Sequence, residues 1–300
     1  MSEGHRDTIV SEDAVLVQRE AFAGEQFILT LNSPQIAELS YPGAFVHIRC
    51  SPALAMRRPM SVMSSDSVRG EITVLFKVVG RGTDALSSAP IGAELNMLGP
   101  IGRGFDIPNA NTHPVLLGGG VGIPPMLLLA HTLKAHGITP GLVTMGSEVP
   151  FPFTTMNSTL HVSCVDENFT SEAPPRAIPE LEAQGIASRL ASTQNYAGCF
   201  DGFVTDLTRA YVEGLPEATR AKTVLYACGP TLMLKATAEL AQGLGLECHV
   251  SLEEFMACAV GGCAGCVVPA RDGNKLVMRR VCVDGPVFGA DEIVWEQISH

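Results

Sequence analysis

Four cysteines crowd the C-terminal part of the chain: Cys258-Ala-Val-Gly-Gly-Cys263-Ala-Gly-Cys266, then Cys282 after fifteen further residues. Thiolates are the soft ligands that iron–sulfur clusters require, and C-x4-C-x2-C is the plant-type [2Fe–2S] spacing. Gly261, Gly262 and Gly265 let a loop wrap closely and turn backbone N–H groups toward the sulfurs. Zinc is the competing reading, but zinc sites show two close cysteine pairs and Cys282 has no near partner. Just upstream, Ser251-Leu-Glu-Glu254 has the form of a capping box and predicts a short helix leading into the loop. The other five cysteines (Cys50, Cys164, Cys199, Cys228 and Cys248) are scattered singly and read as small buried hydrophobes. An odd total of nine, with no signal peptide, is not a disulfide framework.

Two Gly/Pro-rich turns carry a second kind of chemistry. Gly118-Gly119-Gly120-Val121-Gly122-Ile123-Pro124-Pro125 follows an apolar run and opens a helical one, where free N–H groups and the helix dipole bind pyrophosphate. The G-x-G-x-x-G fingerprint is not met, because its third glycine would fall on Ile123 or Pro125. No Gly-Lys-Ser/Thr follows, which excludes a nucleotide-hydrolysing P-loop. Cys228-Gly229-Pro230 ends a later apolar run and also precedes a helix. Ligands of open parallel sheets sit beyond the carboxyl ends of the strands, so the two turns can flank one nicotinamide dinucleotide. Each is also compatible with a constrained turn that binds nothing.

A third group is Arg57-Arg58-Pro59-Met60-Ser61 with Lys77-Val78-Val79-Gly80-Arg81-Gly82-Thr83. Arg58 can pair a phosphate in a fixed fork, Ser61 can hydrogen-bond a ring nitrogen, and the Gly80-x-Gly82-Thr83 turn offers N–H groups to an anion. Taken alone, Arg-x-x-Ser is too common to carry meaning and reads better as a surface arginine beside a turn. There is no His-Glu-x-x-His, no Gly-x-Ser-x-Gly and no calcium-loop pattern.

The elements that must position these groups change character along the chain. From Ala14 to Met97, short segments rich in β-branched and aromatic residues alternate with turn residues. Phe27–Leu31, Ala44–Ile48 and Glu71–Val79 are predicted strands, with Pro42-Gly43 and Arg69-Gly70 between them. That spacing predicts a small antiparallel barrel or sandwich, preceded by a charged extension. Beyond Ile107 the pattern becomes strand-then-helix: Pro114–Leu117, a helix over Pro125–His136, Gly141–Met145, then Thr223–Ala227 and a helix over Leu232–Leu244. Such alternation signals a parallel α/β sheet. The polar, Pro-bearing stretch near 164–195 is expected to loop out as an insertion. The expected division is therefore 1–108, a β-barrel; 109–246, an α/β domain; and 247–300, a small cluster-bearing domain.

With 20 Lys and Arg against 31 Asp and Glu, the net charge is −11, which argues against nucleic acid or an anionic membrane surface as partner. Charged residues make up 17% and hydrophobic ones 46%, so the chain can bury a sizeable core. Met1–Asp7 lacks the apolar stretch of a signal peptide. The uncharged run from Ile107 to Leu133 is broken by Gly118, Gly119, Gly120, Gly122, Pro124 and Pro125, unlike a membrane span. A soluble cytoplasmic protein is expected.

In their order along the chain, Arg58-Pro59-Met60-Ser61, Gly80-Arg81-Gly82-Thr83, Leu98-Gly99-Pro100-Ile101-Gly102, the triple-glycine turn and Cys228-Gly229-Pro230 resemble the ferredoxin–NADP reductase superfamily. There an FAD-binding β-barrel precedes an NAD(P)-binding α/β domain. Gly202–Leu207, Ser251–Cys258 and Val281–Phe288 are similar to the electron-transfer subunits of NAD-dependent (class 1B) dihydroorotate dehydrogenases. The resemblance implies an FAD, a [2Fe–2S] cluster and a nicotinamide site for NAD. By motif, Arg58, Pro59, Met60 and Ser61 would contact FAD, with Lys77, Val78 and Val79 beside the flavin and Gly82 and Thr83 on its pyrophosphate. Gly118, Gly119, Gly120, Gly122, Cys228, Gly229 and Pro230 would line the nicotinamide nucleotide, and Cys258, Cys263, Cys266 and Cys282 would ligate iron. No Arg or Asp can be assigned to the ribose 2′ position.

The implied activity is electron transfer between NAD and the FMN of a separate dihydroorotate dehydrogenase catalytic subunit, in a heterotetramer of two of each, in pyrimidine synthesis. The same architecture also fits a reductase serving a ferredoxin, hydrogenase or sulfur-reducing partner. A zinc-stapled or redox-sensing regulatory module is the reading from a different class.

Overall fold

The computed structural model describes residues 8–167, 169 and 173–298. Residues 168 and 170–172 of the expected insertion, and residues 1–7 and 299–300 at the ends, lie outside the described residues. Two compact units emerge, one formed by residues up to 105 with 251–288 and 292 onward, the other by 106–250 with 289–291.

The first unit is built on six strands: β1 (Val10–Phe22), β2 (Gln26–Asn32), β3 (Phe45–Ile48), β4 (Arg58–Asp66), β5 (Glu71–Lys77) and β6 (Glu94–Ile101). They close in the order β1-β2-β5-β4-β3-β6, with every neighbouring pair antiparallel. Closure removes the exposed strand edges that an open sheet would leave. Alternate residues fill the interior, with Leu16, Leu29, Leu31, Val46, Ile48, Val62, Ile72 and Val74 fully or almost fully buried.

Val10–Asp13, expected as part of a charged extension, are instead the first residues of β1 and pair with Asn96–Gly99. The charge at Glu12 has a structural use. Its carboxylate accepts hydrogen bonds from Ser33 Oγ, Gln35 N and Ile36 N, holding the start of helix α1 (Pro34–Leu39). Free N–H groups at a helix start favour an anion there. A second short helix, α2 (Arg81–Ser87), follows β5.

The second unit begins with β7 (His113–Gly119), α3 (Ile123–Ala135) and β8 (Leu142–Gly146). Helix α3 starts two residues earlier than its sequence pattern and is buried over most of its length. Next come β9 (Met156–Asn157), α4 (Ser163–Asp166), β10 (Arg176–Ala177), α5 (Pro179–Glu182), β11 (Ser188–Ser192) and β12 (Phe200–Asp201). Then α6 (Val204–Glu213), α7 (Glu217–Arg220), β13 (Thr223–Cys228), α8 (Thr231–Leu244) and β14 (Glu247–Ser251) complete it. The sheet order is β12-β11-β8-β7-β13-β14, with the first five strands parallel.

Part of the stretch expected to loop out is in fact core. Ser188–Ser192 is a fully buried strand paired with β8. What disguised it is Arg189, which is 0% exposed yet has all five N–H donors engaged. Nε and Nη2 reach Asp166, Nη1 reaches Ser158 Oγ and the Ser188 carbonyl, and Nη2 also reaches the Leu160 carbonyl. A buried charge survives when it is both paired and hydrogen-bonded.

Residues 252–258 contain no helical turn, against the expectation from the capping-box pattern. Ser251 is the buried last residue of β14, and the Leu252 N–H donates to the Pro286 carbonyl rather than opening a helix. A hairpin of β15 (Val267–Asp272) and β16 (Lys275–Arg280) follows the cluster loop, and β17 (Val287–Gly289) ends the strands. Among the described residues no helix is long and apolar enough to cross a membrane.

Candidate electron-transfer site

The hairpin explains the fifteen-residue gap before the fourth cysteine. The chain leaves Cys266 along β15 and returns along β16, where Val267 pairs with Arg280. Val281 N–H then donates to the Cys266 carbonyl at 2.9 Å, which sets Cys282 beside Cys266. Both thiols are buried, whereas Cys258 is half-buried and Cys263 exposed. The Cys263 and Gly265 N–H groups lie 3.4 Å from the sulfurs of Cys258 and Cys263. Burial works against the Cys258 thiolate, but N–H groups of Val260, Cys263 and Gly262 outweigh it and bring the thiol down to about 7. Cys282 is pushed up to about 12 by burial, by its contact with Cys266, and by the charges of Cys266 and Cys258.

Four mutually interacting thiols, with N–H groups aimed at sulfur, fit a cluster that supplies positive iron to neutralise them. The loop holds Ala259 and Ala264 at φ of 56° and 51°, a left-handed backbone that costs roughly 1 kcal/mol per L-residue. Such strain is tolerated where the surroundings over-determine the loop. Among the described residues, no three His, Cys, Asp or Glu side chains stand close enough together to hold a single metal ion. The Cys258 and Cys263 side chains interact with each other, as do those of Cys266 and Cys282, and these four would hold the cluster. Of the scattered cysteines, Cys50, Cys199, Cys228 and Cys248 are buried as expected, whereas Cys164 is only half-buried. Burial pushes Cys50 and Cys199 up to about 11 and Cys248 to about 12.

The barrel brings the second group together. Of the adjacent arginines, Arg57 belongs to the scaffold, with its guanidinium on the Asn96 carbonyl and side chain. Among the described residues Arg58 bonds only to the carbonyls of Met56 and Arg57, both at 3.0 Å, and its side chain crosses the first turn of α2. A Cβ on Gly82 would stand 2.7 Å from Arg58 Nε, so only glycine lets the guanidinium lie against that backbone. Thr83, buried, folds the turn: its hydroxyl accepts from Val79 N and Gly80 N and donates to the Gly80 carbonyl. The N–H groups of the first turn of α2 therefore face a fixed cation, an arrangement suited to pyrophosphate.

Ser61 lies three residues along β4 from Arg58 and beside Pro59 and Met60, with Phe45 opposite it in the register. Its half-buried hydroxyl has no hydrogen-bond partner among the described residues. Lys77 ends β5, and Val78 and Val79 lie just beyond it, with Val79 83% exposed.

In the second unit, the chain runs outward from β7 to β8, β11 and β12 on one side, while β13 lies on the other. The order therefore reverses between β7 and β13, and a crevice opens at such a switch point. Both Gly/Pro turns sit there, since Gly118 pairs with Cys228. They touch closely enough that a Cβ on Gly122 would overlap the Cys228 carbonyl, and one on Gly119 would stand 3.2 Å from Pro230 Cδ. Gly120, at φ 54°, and Gly229 complete the turns. A surface depression of about 650 Å³ lies elsewhere, lined by Asn109–Thr112, Lys222 and Glu247 near the amino ends of β7 and β13. It contains none of the motif residues.

Sequence reasoning missed His47, on β3 opposite Pro59. It is fully buried, and neither ring nitrogen has a hydrogen-bond partner. Its signal was the lone histidine within Ala44–Ile48, indistinguishable in sequence from a strand residue facing solvent.

Both regions of the first unit fall within families of known proteins. Residues 253–294 match the family described as the iron–sulfur cluster binding domain of dihydroorotate dehydrogenase B, and residues 13–105 match the oxidoreductase FAD-binding domain. The chain is 30% identical over 292 residues to the dihydroorotate dehydrogenase B (NAD(+)) electron transfer subunit of Desulforamulus reducens, covering 95% of this chain and 98% of that one. The protein of the same name from Listeria innocua is 32% identical over 288 residues, covering 93% and 96%. Among solved structures, an NADH-dependent reduced ferredoxin–NADP oxidoreductase studied for flavin-based electron bifurcation superposes with a TM-score of 0.75. It is 25% identical, covering 95% of this chain and 91% of that one. The ferredoxin reductase of carbazole 1,9a-dioxygenase, 22% identical with a TM-score of 0.60 over 79% of this chain and 67% of that one, shares the fold.

Proposed function

The chain belongs to the electron-transfer subunits of NAD-dependent dihydroorotate dehydrogenase B, and from that we propose that it carries electrons between NAD and an FMN-containing catalytic subunit that oxidises dihydroorotate in pyrimidine synthesis. When bound, FAD and a [2Fe–2S] cluster supply the conversion between two-electron hydride exchange and one-electron relay. The chain's own residues bind, orient and tune. Arg58 and the first turn of α2 at Gly82 and Thr83 hold the FAD pyrophosphate. Ser61 offers its free hydroxyl to the flavin ring, with Pro59, Met60 and the Lys77–Val79 edge beside it. Gly118, Gly119, Gly120 and Gly122, with Cys228, Gly229 and Pro230, form the nicotinamide nucleotide crevice. Cys258, Cys263, Cys266 and Cys282 are the iron ligands, and backbone N–H groups on the sulfurs help set the potential.

The observation that carries this reading is the single compact unit holding both the Arg58–Gly82 cradle and the four-thiol loop. A cytoplasmic location and a heterotetramer of two subunits of each kind follow as parts of the proposal. A reductase feeding a ferredoxin, hydrogenase or sulfur-reducing partner is the second reading, favoured by the TM-score of 0.75 to the ferredoxin–NADP oxidoreductase. The test is affinity purification from native cells, assayed for dihydroorotate-dependent NAD reduction. Activity with a co-purifying flavoprotein supports the first reading. A brown protein that reduces artificial acceptors with NADH but lacks that activity supports the second.

A further inference from the structure

We propose that Arg280 raises the reduction potential of the iron–sulfur site, its guanidinium clasping both ligand-bearing segments and stabilising their reduced form by its charge. This rests on reading Cys258, Cys263, Cys266 and Cys282 as the iron ligands. Three of them lie on the loop 258–266, which contains no charged residue of its own. The fourth lies within a turn that runs from Arg280 to Asp284. Its closure is backbone: Val283 N–H and Asp284 N–H donate to the Arg280 carbonyl at 3.1 and 2.7 Å.

Arg280 joins the two segments. Strand alternation turns its neighbour Arg279 to the other face of the hairpin, where it reaches Asp272 at 3.5 Å. Arg280 Nη1 instead donates to the Gly261 carbonyl at 3.2 Å, in the middle of the loop. Gly261, at φ 79°, makes room for that approach. A Cβ there would stand 2.5 Å from Val283 Cγ2 and 3.4 Å from Arg280 Nη1. The N–H of the same glycine favours the charged form of Cys282, so the clasp also fixes a residue that serves the fourth sulfur.

Asp284 aims this cation rather than cancelling it. Its Oδ2 accepts from Arg280 N–H at 2.7 Å and lies 3.5 Å from Nε, while Nη1 reaches the loop. The positive end of the pair therefore faces the loop that carries the thiolates. The Arg280 side chain is 33% exposed, so solvent screens its charge only in part. Reduction adds one negative charge to the thiolates and their iron, and a fixed cation beside them favours that form. A guanidinium stays charged at every working pH, which makes the contribution a permanent one.

The test is a dye-mediated redox titration of the full chain loaded with FAD and cluster, following the electron-spin signal of the reduced cluster. Arg280→Met should lower the ratio of reduced to oxidised cluster at a fixed poise about 10-fold, or about 59 mV for a one-electron couple. FAD content should not change. Arg280→Lys, which keeps the charge without the fork, should hold the ratio within about 3-fold of wild type. A clasp that is only structural would lower cluster occupancy or broaden the signal without moving the midpoint. An unmoved midpoint in Arg280→Met therefore overturns the proposal, as does an Arg280→Lys midpoint as low as that of Arg280→Met. Should Arg280→Met hold no cluster, Arg280→Lys decides: a midpoint near wild type upholds the role of the charge, and a lowered midpoint or a lost cluster overturns it. A wild type supplied with iron and sulfide that gives no reduced-cluster signal overturns the ligand reading itself.

Discussion

His47 makes the stability of the first unit depend on pH in a calculable way. Burial, then the charge of Arg57, lowers this imidazole from 6.5 to about 4; the carbonyls of Arg57 and Met256 lie near the ring and pull weakly the other way, without reaching hydrogen-bond geometry. Because the folded value is the depressed one, the unfolded chain binds more protons between about 4 and 6.5. The contribution is therefore fully present above 6.5 and lost as pH falls toward 4. Between pH 7.5 and 5.0 that loss amounts to about 2 kcal/mol. The perturbation is His47→Phe, which removes the titration while filling similar space. Urea unfolding followed by circular dichroism at both pH values gives the comparison, and subtracting variant from wild type cancels what other groups contribute. Wild type should lose about 2 kcal/mol more than the variant on acidification. At pH 7.5 the variant should be no less stable, since exchanging an unpartnered buried polar group for an apolar one of like shape is near neutral. Equal pH dependence in the two proteins would refute the reasoning.

Cys263→Ala should abolish the cluster's visible absorption and electron-spin signal while leaving flavin bound, and retention of those signals would remove Cys263 from the ligand set. Gly122→Ala places a Cβ inside the Cys228 carbonyl. It should weaken NADH binding by at least about 10-fold, measured by titration of flavin reduction, with FAD and iron content unchanged. Arg189→Met strands Asp166, which is only 11% exposed, and should cost about 3–5 kcal/mol in urea unfolding of the second unit. A loss below 1 kcal/mol would show that the pair contributes little.

Much of the chemistry was legible because it rests on local pattern. Three of the four proposed iron ligands lie within nine residues, and the glycines that permit close approach are adjacent to the turns they serve. Barrel and parallel sheet were also readable, from β-branched alternation before Met97 and strand–helix alternation beyond Ile107. The misreadings share a cause: a polar residue whose partner is distant in sequence. Glu12 reads in sequence as part of a solvated extension, but its carboxylate holds the first turn of α1. Arg189 made a core strand look like a loop, because Asp166, Ser158 and Leu160 satisfy it only once folded. The capping-box pattern at Ser251 misled for the converse reason, since a strand claimed the serine first.

The sequence by itself determined the types of group and their short-range spacing: soft thiolates, anion-binding turns, a phosphate-pairing arginine and the apolar periods of two architectures. Backbone sterics and ligand chemistry act within a few residues, so these are written locally. Only the tertiary structure decided which arginine of the pair is free, how Cys282 returns to Cys266, and which strands flank the crevice. It also left the buried His47 ring without a hydrogen-bond partner among the described residues. Those outcomes depend on register, closure and burial, which are set by contacts between residues far apart in the chain.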